Sequence, residues 1–251
     1  MEIFDSFIDP SGPLSLLTRG AHVLAGVTWI GLLYFFNFVQ VPAYAELSDG
    51  ARSEALRKLT FRGLWWFRYA ALLTFLFGVM LVGIQGDGEN TDLYLSGVSG
   101  TAILTGMLFG TTMFLNVWGV IWRSQKVVIG NAETVAAGGE ANPNAPAAAK
   151  TAARASRCNT LFSMTMLWFM VFAAHGNVWF STGNQLDGTV AYWIFVLVIW
   201  AFIEASALGW IGGLDSAFNK LVYDRHRDTI IYGFVLLGII YFVGWELMLA
   251  P

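Results

Sequence analysis

The chain has 251 residues, of which 56% are hydrophobic, 16% aromatic and only 12% charged, with a formal net charge of −3. Soluble globular domains carry about 25% charged residues, so this composition excludes an ordinary water-soluble domain. The single cysteine, Cys158, excludes an internal disulfide, a covalently attached haem c, an iron–sulfur cluster and a cysteine-rich zinc site.

Six apolar stretches follow one another along the chain. Each has about 20 residues or more, which is enough to cross a hydrocarbon core of about 30 Å. They are Leu16–Val41, Leu64–Ile84, Val98–Trp122, Thr160–Phe180, Val190–Trp210 and Ile230–Leu249. The sequence therefore predicts an all-α integral membrane protein in which residues 1–251 form a single bundle of six transmembrane helices.

Lysine and arginine are confined to alternate connections, apart from Arg19. The connections concerned carry Arg52, Arg57, Lys58, Arg62 and Arg68, then Arg123, Lys126, Lys150, Arg154 and Arg157, and finally Lys220, Arg225 and Arg227. Basic residues near the ends of membrane helices mark the cytoplasmic side. We therefore expect a multi-pass protein of a bacterial inner membrane, in contact with the lipid bilayer and with both termini in the periplasm. The same bias explains the basic stripes without a nucleic-acid partner.

Two of the connections carry local signals. Residues 124–156 are rich in Ala, Gly and Asn-Pro, which predicts a flexible cytoplasmic loop whose last third extends the fourth helix inward. In the first connection, Ser48 is a candidate N-cap of a short interfacial helix, and Glu54 and Lys58 form an i,i+4 pair.

Two histidines lie within apolar helices at matched depth. His22 is about 9 Å below the outer end of the first helix, and His175 is about 8 Å below the outer end of the fourth. Small residues flank both rings and permit the close approach of a flat macrocycle. Two imidazoles in an apolar slot suit the axial ligands of a haem b iron. The alternative is that each histidine donates a hydrogen bond to a neighbouring helix and binds no cofactor.

Two charged residues near the outer ends of helices are candidates to support such a site. Arg19 precedes His22 by three residues and is suited to pair with a haem propionate, or else to snorkel to the interface. Glu246, near the outer end of the sixth helix, is an alternative partner of Arg19 or of a histidine. A copper or zinc site is less favoured, because only two nitrogen ligands are visible.

A second polar group lies toward the inner half of the predicted bundle. Its members are Asn37, Gln40, Arg68, Asn116, Asn159 and Glu204. An acid within a membrane helix has to be paired or protonated, and by depth Arg68 is the predicted counter-ion of Glu204. Such a pair serves either to tie two helices together or to line a proton or substrate path.

Several segments resemble the membrane region of the bacterial urate hydroxylase family, also called the urate oxidase N-terminal domain. They are HVLAGVTWIGLLYFFNFVQVP, LWWFRYAALLTFLFG, GTTMFLNVWGVIWRSQKVVIG and ASRCNTLFSMTMLWFMVFAAHG. The resemblance implies a membrane oxidoreductase that converts urate to 5-hydroxyisourate and passes electrons to a cytochrome c domain. Here no haem c motif follows the sixth helix, so the expected acceptor is a separate cytochrome c.

A shorter motif places Trp-x-Gly seven residues after a histidine, as in His22 and Trp29-Ile30-Gly31. It is similar to a motif of copper-resistance membrane proteins and of the membrane protoporphyrinogen oxidase, and the latter likeness implies haem on the first helix.

The leading hypothesis is a haem b protein that transfers electrons, with urate oxidation as its activity. One alternative is a non-catalytic accessory subunit of a larger respiratory or photosynthetic membrane complex, suggested by exposed aromatic residues such as Trp65 and Trp66. A further alternative is a transporter or channel that uses Arg68, Asn116 and Glu204.

Overall fold

The computed structural model describes residue 7 and residues 12–86, 91–175 and 188–249, and all the regular structure in these ranges is helical. The helices are α1 (Pro13–Glu46), α2 (Asp49–Gln85), α3 (Thr91–Ser96), α4 (Val98–Ala136), α5 (Ala145–His175), α6 (Thr189–Ala207), α7 (Ala217–Tyr223) and α8 (His226–Met248). Helices α1, α2, α4, α5, α6 and α8 are long and apolar enough to cross a membrane. The prediction of six spanning helices is confirmed. The predicted end of the fourth span, residues 176–180, lies outside the described residues.

Short π-helical segments interrupt several of these helices. They occupy Phe35–Gln40 in α1, Leu56–Thr60 in α2, Asn116–Ile121 in α4 and Ile239–Met248 in α8. An added residue per turn rotates the side chains that follow it, and such bulges are frequent at functional sites.

Helices α4 and α5 form the centre of the bundle. In the most apolar 18-residue stretch of each of these two helices, half of the residues are buried, against 28% in α1, α2 and α8. The rings of Phe109 and Phe162 lie 5.0 Å apart between these two helices. Gly233 of α8 passes close to α5, because a Cβ at this position would lie 3.1 Å from the Leu161 carbonyl oxygen. Many other large apolar side chains, such as Leu16, Trp66 and Leu247, are exposed on the outside of the bundle, as lipid contact requires.

The bundle has two ends. We call the end with the α1–α2, α4–α5 and α6–α8 connections the basic face, because nearly all Lys and Arg residues lie on it, and the other end the opposite face. At the basic face Ser48 caps the first turn of α2 by accepting a hydrogen bond from the Ala51 amide, and Lys58 pairs with Glu54. The cap and the ion pair are confirmed, but Ser48 caps the long helix α2 itself rather than the separate short interfacial helix that was predicted.

The connection between α4 and α5 is shorter than the sequence analysis predicted. Most of residues 124–156 is helical, and only residues 137–144 lie between the end of α4 and the start of α5. Alanine has the highest helix propensity, and it dominates both flanks of this turn. The expectation that α5 extends inward is confirmed, since α5 begins at Ala145.

The α6–α8 connection is held to this inward extension of α5 by Arg154. Its guanidinium is buried and donates to the carbonyl oxygens of Leu214 and Asn219, both at 3.2 Å, and to the Asp224 carboxylate at 2.7 Å. Arg157 adds bonds to the carbonyl oxygens of Tyr223 and Asp224. The hydrogen-bonded Lys150 lowers the pKa of Asp215 on the protein surface nearby.

Arg154→Ala is expected to lower the thermal unfolding midpoint of the purified protein markedly. It removes a buried guanidinium and its hydrogen bonds to two carbonyl oxygens and to the Asp224 carboxylate, a loss on the order of 3 kcal/mol. Lys150→Ala is the matched control, since Lys150 lies one turn away on α5 and its ion pair with Asp215 is exposed. Equal shifts in the two variants would contradict the structural role assigned to Arg154.

Candidate functional site

His22 is held against α2 in a defined orientation. Its ring Nδ1 lies 2.8 Å from the carbonyl oxygen of Thr74. A carbonyl oxygen only accepts hydrogen bonds, so Nδ1 carries the hydrogen, and in the neutral imidazole Nε2 carries the lone pair. Gly78, one turn further along α2, makes room for the ring, because a Cβ there would lie 3.1 Å from the ring Cε1. The hydrogen bond to a neighbouring helix, which the sequence analysis gave as the alternative to haem binding, is thus observed for His22. It uses Nδ1 and leaves Nε2 without a partner in this bond.

His175 is the last residue of α5, and its side chain is exposed. Its height can be compared with that of His22 through the hydrogen bond of 2.8 Å between Tyr34 Oη of α1 and Ser163 Oγ of α5. His22 precedes Tyr34 by twelve residues and His175 follows Ser163 by twelve, both toward the opposite face. At 1.5 Å per residue each histidine lies about 18 Å from this bond along its helix axis.

The two histidines are not joined directly. Among the described residues no hydrogen bond or ring contact connects them, and His22 is directed toward α2. Within the same ranges there is also no group of three or more His, Cys, Asp or Glu side chains placed to hold a metal ion. In the described residues, His22 and His175 thus lie at equal heights along α1 and α5, and the imidazole of His22 is held in one orientation.

Arg19 and Glu246 have different neighbours. Arg19 is exposed and lies near Tyr94 of α3. The Glu246 carboxylate faces the Tyr241 hydroxyl on its own helix. The ion pairs among the described residues do not include one between Arg19 and Glu246.

A buried polar cluster surrounds Glu204, and we call it the Glu204 cluster: Asn116, Cys158, Asn159 and Glu204. Asn116 Nδ2 donates to Glu204 Oε2 at 3.2 Å and to Asn159 Oδ1 at 3.0 Å. Cys158 Sγ donates to Glu204 Oε2 at 3.5 Å. Asn159 Nδ2 donates to the Met113 carbonyl oxygen at 2.9 Å. All four side chains are buried, and they join the central helices α4 and α5 to α6.

The prediction that Arg68 is the counter-ion of Glu204 is wrong. The Arg68 guanidinium lies over the rings of Trp122, Tyr69 and Trp118, at 3.8, 4.8 and 5.4 Å from their centroids. An arginine over aromatic faces is stabilised by cation–π attraction. The two residues were matched by depth alone, whereas the rotation of α2 directs Arg68 toward the aromatic side chains of α2 and α4.

Two further residues of this region escaped sequence reasoning. Cys158 served there only to exclude disulfides and cofactors, yet its thiol contacts Glu204. Tyr223 of α7 is fully buried, and its hydroxyl lies beside that thiol without a hydrogen bond of standard geometry. Burial raises the pKa of Tyr223 well above its usual value, so this hydroxyl stays neutral. The available signal was the Cys158-Asn159 pair, because two adjacent polar residues in an apolar helix rarely both face lipid.

Two cavities lie away from the histidines and the Glu204 cluster. One of about 560 Å³ is lined by apolar residues of α6 and by Met248, and one of about 310 Å³ lies between α6, α7 and α8. Neither is lined by His22, His175 or the polar atoms of the Glu204 cluster. Their walls are almost entirely apolar, as expected of grooves filled by lipid chains.

Substitutions at position 204 distinguish a hydrogen-bond acceptor from an ion-pair partner. Glu204→Gln keeps an oxygen for Asn116 and Cys158, so we expect a thermal unfolding midpoint close to that of the wild type. Glu204→Leu removes the acceptor and leaves buried donors unpaired, a loss of about 1–3 kcal/mol. An equally large loss of stability in both variants would contradict this assignment and restore an ionic role.

Comparisons with known proteins identify no family for this chain. No family model matches it, and neither does any curated protein or solved structure. The resemblance to the membrane region of urate hydroxylases therefore remains a prediction from the motifs quoted above.

Proposed function

We propose that this protein is a membrane oxidoreductase or electron-transfer protein of the bacterial inner membrane that holds haem b at His22. His175 is the proposed second axial ligand, and Arg19 the proposed partner of a propionate. A bound haem b supplies one-electron transfer at a potential set by its axial ligands and surroundings.

The observation that carries the proposal is the hydrogen bond from His22 Nδ1 to the Thr74 carbonyl oxygen. Histidines that ligate a metal almost always donate their other ring N–H to a carbonyl or carboxylate, which fixes the tautomer and directs the free nitrogen. His22 therefore has the protonation pattern of an axial ligand.

The surroundings of His22 fit a flat macrocycle. A Cβ at Gly20 would meet no atom within 4 Å, and a Cβ at Gly26 would meet only the Thr74 methyl group at 3.8 Å. Small residues of this kind let a large ring approach a helix. The equal axial position of His175 on α5 supports its part in the proposal. An arginine is suited to bind a carboxylate with two parallel hydrogen bonds, which supports the part given to Arg19.

The substrate is proposed from the family resemblance. Conversion of urate to 5-hydroxyisourate with electrons leaving to a cytochrome c removes two electrons and two protons, and the added oxygen comes from water. A redox group close to the opposite face favours exchange with a separate soluble cytochrome c on that side. The lipid bilayer is the other partner, because six apolar spanning helices require it.

An absorption spectrum of the purified protein tests the haem. We expect a Soret band in the wild type that is lost or strongly shifted in His22→Ala and in His175→Ala. His226→Ala is the matched control, because His226 is exposed at the basic face, where its ring lies against Phe38. A protein without a Soret band after expression with added haem precursor, or a band indifferent to both substitutions, would remove the proposal.

A glycine substitution tests whether the orientation of His22 matters. Gly78→Ala places a methyl group 3.1 Å from the His22 Cε1 atom and displaces the ring from the Thr74 carbonyl oxygen. We expect a lower ratio of haem to protein after purification. Gly83→Ala is the control on the same helix, since a Cβ there meets no atom within 4 Å. Equal haem content in the two variants would show that the ring does not need this position.

A further inference from the structure

Three buried polar atoms without a partner lie on the basic-face side of the Glu204 cluster. They are Ser206 Oγ, Asn219 Oδ1 and Tyr223 Oη, in residues that are at most 1% exposed. A buried polar atom without a hydrogen bond costs about 1–3 kcal/mol. Such atoms are usually satisfied by internal waters that each bind two to four polar groups. Internal waters that bind these atoms would place hydrogen-bonding groups between the Glu204 cluster and the basic face.

These atoms lie among polar groups that extend from Glu204 toward the surface. Glu204 Oε2 accepts from Cys158 Sγ, and the Tyr223 hydroxyl lies beside that thiol. Arg154 is near Tyr223 and binds Asp224 at 2.7 Å. The Asp224 side chain is 52% exposed, so the series ends in water at the basic face.

A second set of polar contacts in this region is made by Asn219 of α7. Asn219 Nδ2 donates to the carbonyl oxygens of Ser206 and Gly213, at 2.7 and 3.0 Å. Ser206 itself lies two residues after Glu204 on α6. The amide of Asn219 thereby holds α7 over the end of α6, with the unpartnered oxygens of both residues enclosed.

The groups that face Glu204 define its electrostatic environment. Asn116 approaches from α4, Cys158 and Asn159 from α5, and Tyr223 from α7. The nearest charged groups along the series are Arg154, Arg157 and Asp224, all at the basic face. Among the described residues no Lys, Arg or His forms an ion pair with Glu204.

We propose that Glu204 is a proton-exchange site inside the membrane, connected to water at the basic face through the Cys158 thiol, the Tyr223 hydroxyl and internal waters held by Ser206 and Asn219, with the charged pair of Arg154 and Asp224 at the aqueous end but not itself part of the relay. The carboxylate takes up one proton from that side to become the neutral acid and returns it by the same route. The Tyr223 hydroxyl both donates and accepts a hydrogen bond, so it relays a proton without a change in its own charge. This site does not depend on the haem proposal, because it lies on α6 and toward the other end of the bundle.

Infrared spectroscopy of the full-length protein in lipid nanodiscs tests the route. At a pH where Glu204 is neutral, its carboxylic acid C=O band is identified by its loss in Glu204→Gln. After transfer to D₂O, the deuteration shift of this band reports how fast the proton exchanges with water. We expect Tyr223→Phe to slow this exchange at least tenfold, because the substitution removes only the hydroxyl of the relay.

Tyr192→Phe is the matched control for the loss of a buried tyrosine hydroxyl. Tyr192 is fully buried on α6 toward the opposite face, where its hydroxyl binds Thr105 at 2.7 Å. We expect wild-type exchange in this variant. Ser206→Ala is a second test if Tyr223→Phe does not fold. We expect it also to slow exchange, because it removes a hydroxyl that holds the relay waters. The proposal is overturned by wild-type exchange in the well-folded route variants, by equal slowing in Tyr192→Phe, or by the lack of a Glu204-dependent band.

Discussion

Polar side chains inside six apolar helices have to find partners on neighbouring helices, because hydrocarbon offers no hydrogen bonds. This constraint determines which helices of the bundle are joined. Tyr34 and Ser163 join α1 to α5, Asn116 and Glu204 join α4 to α6, and His22 is bound to the backbone of α2. The apolar surfaces contribute packing, while these few bonds select one arrangement of helices among many with similar packing.

The architecture could be predicted from sequence because it depends on quantities that a single chain displays. Stretches of apolar residues gave the six spans, and the serine at position 48 with the charges at 54 and 58 gave the first connection. The length of the α4–α5 connection was overestimated, because its Gly and Asn-Pro residues were given more weight than the alanines on either side. Local composition therefore located the turn but not its extent.

The site could be predicted only in part, because helix rotation is set by packing between distant segments. Depth along a helix follows from counting residues, and this is why His22 and His175 could be compared from sequence. The face on which a side chain lies does not follow from counting, and Arg68 was therefore assigned to Glu204 instead of to aromatic rings. Tyr223 could not be placed beside Cys158 at all, since 65 residues separate them and Arg154 fixes the intervening connection.

The way in which α5 holds the α6–α8 connection has a consequence for how this segment can change during evolution. Arg154 and Arg157 bind mainly main-chain carbonyl oxygens, which every amino acid possesses. These hydrogen bonds therefore depend on the path of the backbone and not on which amino acids form it. Exposed positions such as Trp210 are free to drift, whereas Gly209, Gly212 and Gly213 are constrained by their positive φ angles. Divergent relatives would keep the two arginines and the glycines while losing most other similarity in this segment.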